Sequence, residues 1–181
     1  VWNGFKAGNL NRQDAVTGEL QLVNVASAGI LKPKQGATTA FAPLITASPG
    51  SMSVETDKIK FAPDPTSLLR DYKAESEILT MAARITGPVK TAFPDGPPKV
   101  EGRPPQPDQQ PHVAESAGPI SVIVVADTDM LDDRFWVSGQ EFFGQRVVQP
   151  NANNGDFVVN ALENLAGGSE LMSLRSRGVS S

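Results

Sequence analysis

The chain has 181 residues, a formal net charge of -4, no cysteine and a single histidine. Disulfides, zinc-thiolate sites and thiol nucleophiles are therefore excluded, and an acidic surface offers nothing to phosphate backbones or anionic membranes, so nucleic acid is not an expected partner. Hydrophobic residues make up 39% and charged residues 20% of a chain that also carries 15 prolines and 16 glycines, which suits one core-forming domain over residues 1–181 with long irregular segments. No apolar run approaches the roughly 20 residues that cross a bilayer. The chain opens on Val1-Trp2 and is read as a piece of a longer protein, with any membrane anchor outside it.

Residues 1–18 are polar and glycine-punctuated and are predicted to be irregular. Leu20 to Ala26 alternates apolar and polar residues and predicts a strand, broken by Ser27-Ala28-Gly29. A turn follows over Pro33 to Gly36. Thr38 to Thr46 is β-prone, with Pro43 marking an edge or a bulge. Asp64-Pro65 signals a helix start, with an acidic cap before a proline at the first helical position, and the short helix runs through Asp71. Ile78 to Thr86 predicts a strand stopped by Gly87-Pro88. Residues 94–119 hold eight prolines and few apolar residues, so they form a long surface loop of flexible or polyproline type.

Ile120 to Ala126 is the most apolar run. Because it is oily on both faces, it is predicted to be a central strand covered by helices on both sides. Leu131 to Val137 begins a helix or turn. Asn154 to Ala166 shows helical spacing through Phe157, Val158, Ala161, Leu162 and Leu165, with Asn153 or Asn154 as cap and Gly167-Gly168 as stop. Glu170 to Ser176 reads as a last strand. The expected fold class is α/β: a mixed, mostly parallel sheet flanked by helices.

The sharpest chemical feature is Asp127-Thr128-Asp129 with Asp132, Asp133 and Arg134, directly after the apolar strand, where open α/β sheets bind ligands. These carboxylates admit two readings. They are turn and helix-capping groups, or they hold a hard cation or ligand. The Asp-x-Asp pattern resembles, in part, the haloacid-dehalogenase-like phosphotransferases. Leu131 stands where that family has threonine or valine, and its downstream lysine and later acidic pair have no clear equivalent. A metal-dependent hydrolase or phosphotransferase using Asp127 and Asp129 is therefore the rival function. Ser27 sits in a faint nucleophile-elbow pattern, but Val25 replaces its first glycine. The one histidine, His112, ends the proline-rich loop, where a base is not preorganised. No glycine-rich phosphate cradle occurs, so no cofactor is expected. Phe135, Trp136, Phe142 and Phe143 form the densest aromatic cluster and read as core or core-edge. Arg175 and Arg177 read as a solvated strand face.

Three blocks carry a family resemblance. The first runs from Ala26-Ser27-Ala28-Gly29 through Ala37-Thr38-Thr39 to Phe41 and Pro43-Leu44. The second joins Ala82-Ala83-Arg84-Ile85-Thr86-Gly87-Pro88 to Thr91-Ala92-Phe93-Pro94-Asp95-Gly96. The third comprises Val125-Ala126-Asp127-Thr128-Asp129, Asp133-Arg134-Phe135-Trp136 and Asn154-Gly155-Asp156-Phe157, ending in Leu174-Arg175-Ser176-Arg177-Gly178. Together they resemble the gliding-motility-type ABC transporter auxiliary family. The resemblance implies a membrane-anchored protein whose extracytoplasmic region accompanies a permease, an ATPase and envelope proteins. It also implies a class I glutamine-amidotransferase-like, flavodoxin-like sandwich, of which this chain is the later part. Amidotransferases need a cysteine nucleophile, so here the fold is expected without that chemistry. The expected role is binding or scaffolding, with the loop from Asp127 to Arg134 as contact surface.

Overall fold

The computed structural model describes residues 2–60, 64–97, 111–143 and 145–167. The predicted last strand over 170–176, Gly168, Arg175, Arg177 and the prolines at 98, 104, 105 and 107 lie outside them.

The described strands form small antiparallel sheets. β1 (Trp2–Lys6) pairs with β2 (Leu22–Ala26), placing Trp2 opposite Ala26 and Lys6 opposite Leu22. β3 (Ala40–Thr46), β4 (Thr80–Gly87) and β5 (Ile120–Val125) make a three-stranded meander in the order β3-β4-β5. β6 (Val137–Phe142) and β7 (Gln145–Pro150) make a hairpin. Helices are few: α1 (Thr56–Lys60), α2 (Pro65–Arg70) and α3 (Asn154–Leu165).

This corrects the expected fold class. Every described pairing is antiparallel, so there is no mixed or mostly parallel sheet and no amidotransferase-like or flavodoxin-like sandwich among the described residues. β5 is not a central strand either. Among the described residues it pairs with β4 on one side only, and Ser121 and Val122 are exposed. The physical reason is that an unbroken apolar run fixes burial poorly. Here the run is covered on one face by the core, which Ile123 and Val125 touch, while Ser121 and Val122 are exposed. Parallel neighbours need long crossovers; this sheet is instead built from strands that follow one another along the chain.

Local signals explain the elements that match. Asp64 caps α2 by accepting the Thr66 amide at 2.9 Å, and Pro65 occupies the first helical turn. Pro43 lies on the edge strand β3, where the pairing register shifts between Pro43 and Ile45 and again before Thr46. Gly87 ends β4 at φ 116, a conformation that favours glycine. In α3, Phe157 and Ala161 point into the core and Val158 packs against it, while Leu162 is 63% exposed.

Residues 1–18 are not irregular throughout. β1 forms, and Trp2 meets Phe135 edge-on with ring centroids 5.4 Å apart. The following turns are anchored by Asp14, which accepts the Val16 amide at 2.9 Å and a bidentate pair of bonds from Arg84 of β4, at 2.7 Å from Nε and 2.9 Å from the terminal nitrogen. Burial pushes the Asp14 carboxyl up, but these bonds and the Arg84 charge outweigh it and hold its pKa below 3.8. The core comprises Val16, Val23, Val25, Leu44 and Ile45, all fully buried, with Phe157 from α3. The proline-rich excursion is pinned at its base: Thr91 donates to the Ala114 carbonyl and Ser116 to the Val89 carbonyl, each at 2.9 Å.

Candidate functional site: the acidic loop after β5

β5 delivers the chain to Asp127 beside the end of β2. One Asp127 oxygen accepts the Ala26 amide at 2.6 Å and the other accepts the Asp129 amide at 2.7 Å. Both oxygens of the first acid are thus taken by backbone donors. Asp129 opens a 3-10 turn over Asp129–Leu131, which buries Met130 and leaves Leu131 59% exposed. Asp132 caps the next 3-10 turn, Asp133–Phe135, by accepting the Arg134 amide at 3.0 Å. It also binds the Arg134 guanidinium, with the shortest contact 2.6 Å. These bonds lower the Asp132 pKa to about 2. The pair sits at the surface and contributes little stability. Asp129 and Asp133 face solvent. Among the described residues no three histidine, aspartate or glutamate side chains converge as a metal ion would require. Of the five predicted site residues, Asp127 and Asp132 bond backbone amides, Arg134 pairs with Asp132, and Asp129 and Asp133 face solvent.

The Asp127 bond belongs to a larger arrangement that sequence reasoning missed. Among the described residues β2 has β1 on one side and no strand on the other. Three side chains stand in for that strand. Asn153 accepts the Gln21 and Leu22 amides at 3.0 and 3.2 Å, and its own amide donates to the Leu22 carbonyl at 2.7 Å. Asn154, fully buried, accepts the Asn24 amide at 2.9 Å and donates to the carbonyls of Asn24 and Met130, both at 2.7 Å. Asp127 takes the Ala26 amide. Leu22, Asn24 and Ala26 alternate along β2, so their amides point to the same side. Each finds a side-chain acceptor, as buried backbone donors must. The Asn24 side chain adds a bond to the Phe135 carbonyl at 2.6 Å.

The predicted cap is therefore only half right. Asn153 occupies the position before α3, but its side-chain oxygen serves β2, and its amide group donates to Asp156 at 2.8 Å. Gly155 has its own reason. A Cβ there would lie 2.9 Å from two ring carbons of Trp136, so only glycine lets that indole pack on the start of α3. The buried Trp136 indole nitrogen meets no acceptor among the described residues.

Ser27 is exposed at φ 52, and His112 is exposed. Phe135 and Trp136 are partly buried, whereas Phe143, at the hairpin tip, is 100% exposed. Away from the acids, a pocket of about 320 Å³ lies between α1, α2 and residues 73–75, with Lys58 paired to Asp71 at 3.0 Å in its wall.

A family model described as ABC-type uncharacterized transport system, of the auxiliary component type, matches residues 1–161. The chain belongs to that family. Membership associates it with an ABC transport system as an auxiliary component. No curated protein and no solved structure matches the chain. The matched span includes Ala126-Asp127-Thr128-Asp129 and Asn154-Gly155-Asp156-Phe157, and both stretches supply groups that seal β2. No described helix is long and apolar enough to cross a membrane.

Proposed function

We propose that this chain is a docking domain without a reaction of its own, belonging to an auxiliary subunit of the gliding-motility type and lying on the extracytoplasmic side of the inner membrane. Its partners are the permease and ATPase of the transport system and neighbouring envelope proteins, and membrane attachment is through segments outside this chain. The observation that carries the reading is the occupancy of Asp127. Each oxygen accepts a backbone amide, one from Ala26 and one from Asp129, which fixes the carboxylate as an edge and turn group and supports a structural role for it.

The contact surface is the ridge of Asp129, Leu131, Asp133 and Arg134 with the hairpin beside it. β6 and β7 expose Val147 and Val148, at 52% and 56%, on opposite faces. A two-stranded hairpin is marginal alone in water, and exposed apolar groups rimmed by charge suit a protein partner. Replacing Asp129 and Asp133 by lysine tests the reading through copurification with the permease and ATPase from detergent-solubilised membranes. Recovery of the transport subunits should fall at least several-fold while the melting temperature holds. Undiminished recovery by a folded variant contradicts the proposed surface.

A further inference from the structure

We propose that the uncovered edge of β5 is a strand acceptor, and that its occupant is the same strand of a second copy of this chain, joining two three-stranded sheets into one antiparallel sheet. The ladder fixes which groups are on offer. The Ala126 amide donates to the Met81 carbonyl at 2.9 Å, in register with the pairing of Val125 with Ala82. Antiparallel alternation then commits Val124 and Val122 to β4 and turns the N–H and C=O of Ser121, Ile123 and Val125 away from it. Among the described residues these outward groups meet no strand.

Other described edges carry the devices that discourage pairing. β3 has Pro43 and two register shifts. The hairpin has Glu141, Arg146 and Pro150. β1 has Lys6 and Gly4. β2 is sealed by Asn153, Asn154 and Asp127. β5 has no proline, glycine, charge or bulge along Ile120–Val125.

The chemistry of that edge selects its occupant. Ile123 and Val125 lean on the core cluster, so a strand laid beside them must offer apolar side chains on the same face. β5 itself does so. An antiparallel pairing centred on Ile123 sets Ile123 against its own copy and Ser121 against Val125 of the second copy. It closes the outward groups reciprocally, as a twofold interface requires, and opposes no like charges. A six-residue edge is a small interface, so the dimer belongs to the weak class that buries under ~1,200 Å².

The test joins sedimentation equilibrium to amide hydrogen exchange over protein concentrations from ~10 µM to ~1 mM. The mass should rise from monomer toward dimer. In parallel, the amides of Ser121, Ile123 and Val125 should slow by about tenfold or more, while those of Val122 and Val124 stay protected throughout. Ser121→Pro removes one outward donor without touching the β4 ladder, and should keep the monomer's melting temperature and abolish the dimer. A chain that stays monomeric to the highest concentration overturns the proposal. So does protection of the three amides in the monomer, which would mean that another part of the same chain covers them. A dimer in which they exchange freely overturns it too, because its interface lies elsewhere. If Ser121→Pro unfolds, the wild-type exchange profile alone decides.

Discussion

β2 and β5 present the same problem and receive opposite treatments. Each pairs with one neighbour among the described strands and turns a row of backbone groups away from it. Along β2 every second amide is met by a side chain from Asn153, Asn154 or Asp127. Along β5 nothing described meets them. The difference lies in what the chain brings alongside. The start of α3 and the turn after β5 converge on β2, so an asparagine pair and one carboxylate serve as a surrogate strand. Within a conspicuous acidic pattern after an apolar strand, Asp127 is turned onto the backbone while Asp129 and Asp133 face solvent.

Breaking the β2 seal should cost most. Asn154→Ala leaves the Asn24 amide and the carbonyls of Asn24 and Met130 without their buried partner. The expected loss is about 3–5 kcal/mol in denaturant unfolding. Asn154→Asp should do no better, since it turns a carboxylate toward two carbonyls. Asp127→Ala removes one acceptor shared by Ala26 and Asp129 at a partly solvated site, for about 2 kcal/mol. In both variants the amides along β2 should exchange faster, moving toward the behaviour expected of the β5 edge in the monomer.

A smaller effect sharpens the same contrast by pH. The Asp14 carboxyl, which ties the N-terminal turns to β4, has a folded pKa below its ordinary 3.8. Its contribution is therefore complete above that value and is lost as the pH falls below it. Arg84→Gln should flatten the acid limb of the stability profile, measured by melting between about pH 5 and 2. Smallest of all, Asp129→Lys and Asp133→Lys should each stay within about 0.5 kcal/mol of wild type, because both acids are exposed and neither seals β2.

Much of the local structure was legible. Val-rich alternation marked β2, Pro43 marked an edge, Asp64-Pro65 marked α2, Gly87 closed β4, and the spacing of Phe157 and Ala161 marked the buried face of α3. What stayed hidden was mostly long-range. The partners of Asp127 and Ala26 are 101 positions apart, and those of Asn154 and Asn24 are 130 apart, so no local window contains either bond. β1 was missed because Trp-Asn-Gly-Phe-Lys lacks β-branched residues and is held by β2 and by Phe135. The hairpin was missed because Ser138, Gly139, Gln140 and Glu141 show no apolar alternation. The error over β5 had a different origin: apolarity on both faces was taken to require enclosure on both sides. In the predicted site, capping was one of the two readings the residues allowed, and Asp132 caps the turn that follows it.

The central proposal is that Asp127 serves the end of β2 and its own turn and performs no chemistry. Thermal denaturation of the wild type, Asp127→Ala and the Asp129→Lys/Asp133→Lys double variant, each with and without millimolar magnesium, manganese or calcium, tests it directly. Asp127→Ala should melt about 4–8 °C lower, the double variant should melt with the wild type, and no cation should move any midpoint. A cation that raises the wild-type midpoint but not that of Asp127→Ala, or an Asp127→Ala chain that melts like wild type, would contradict it.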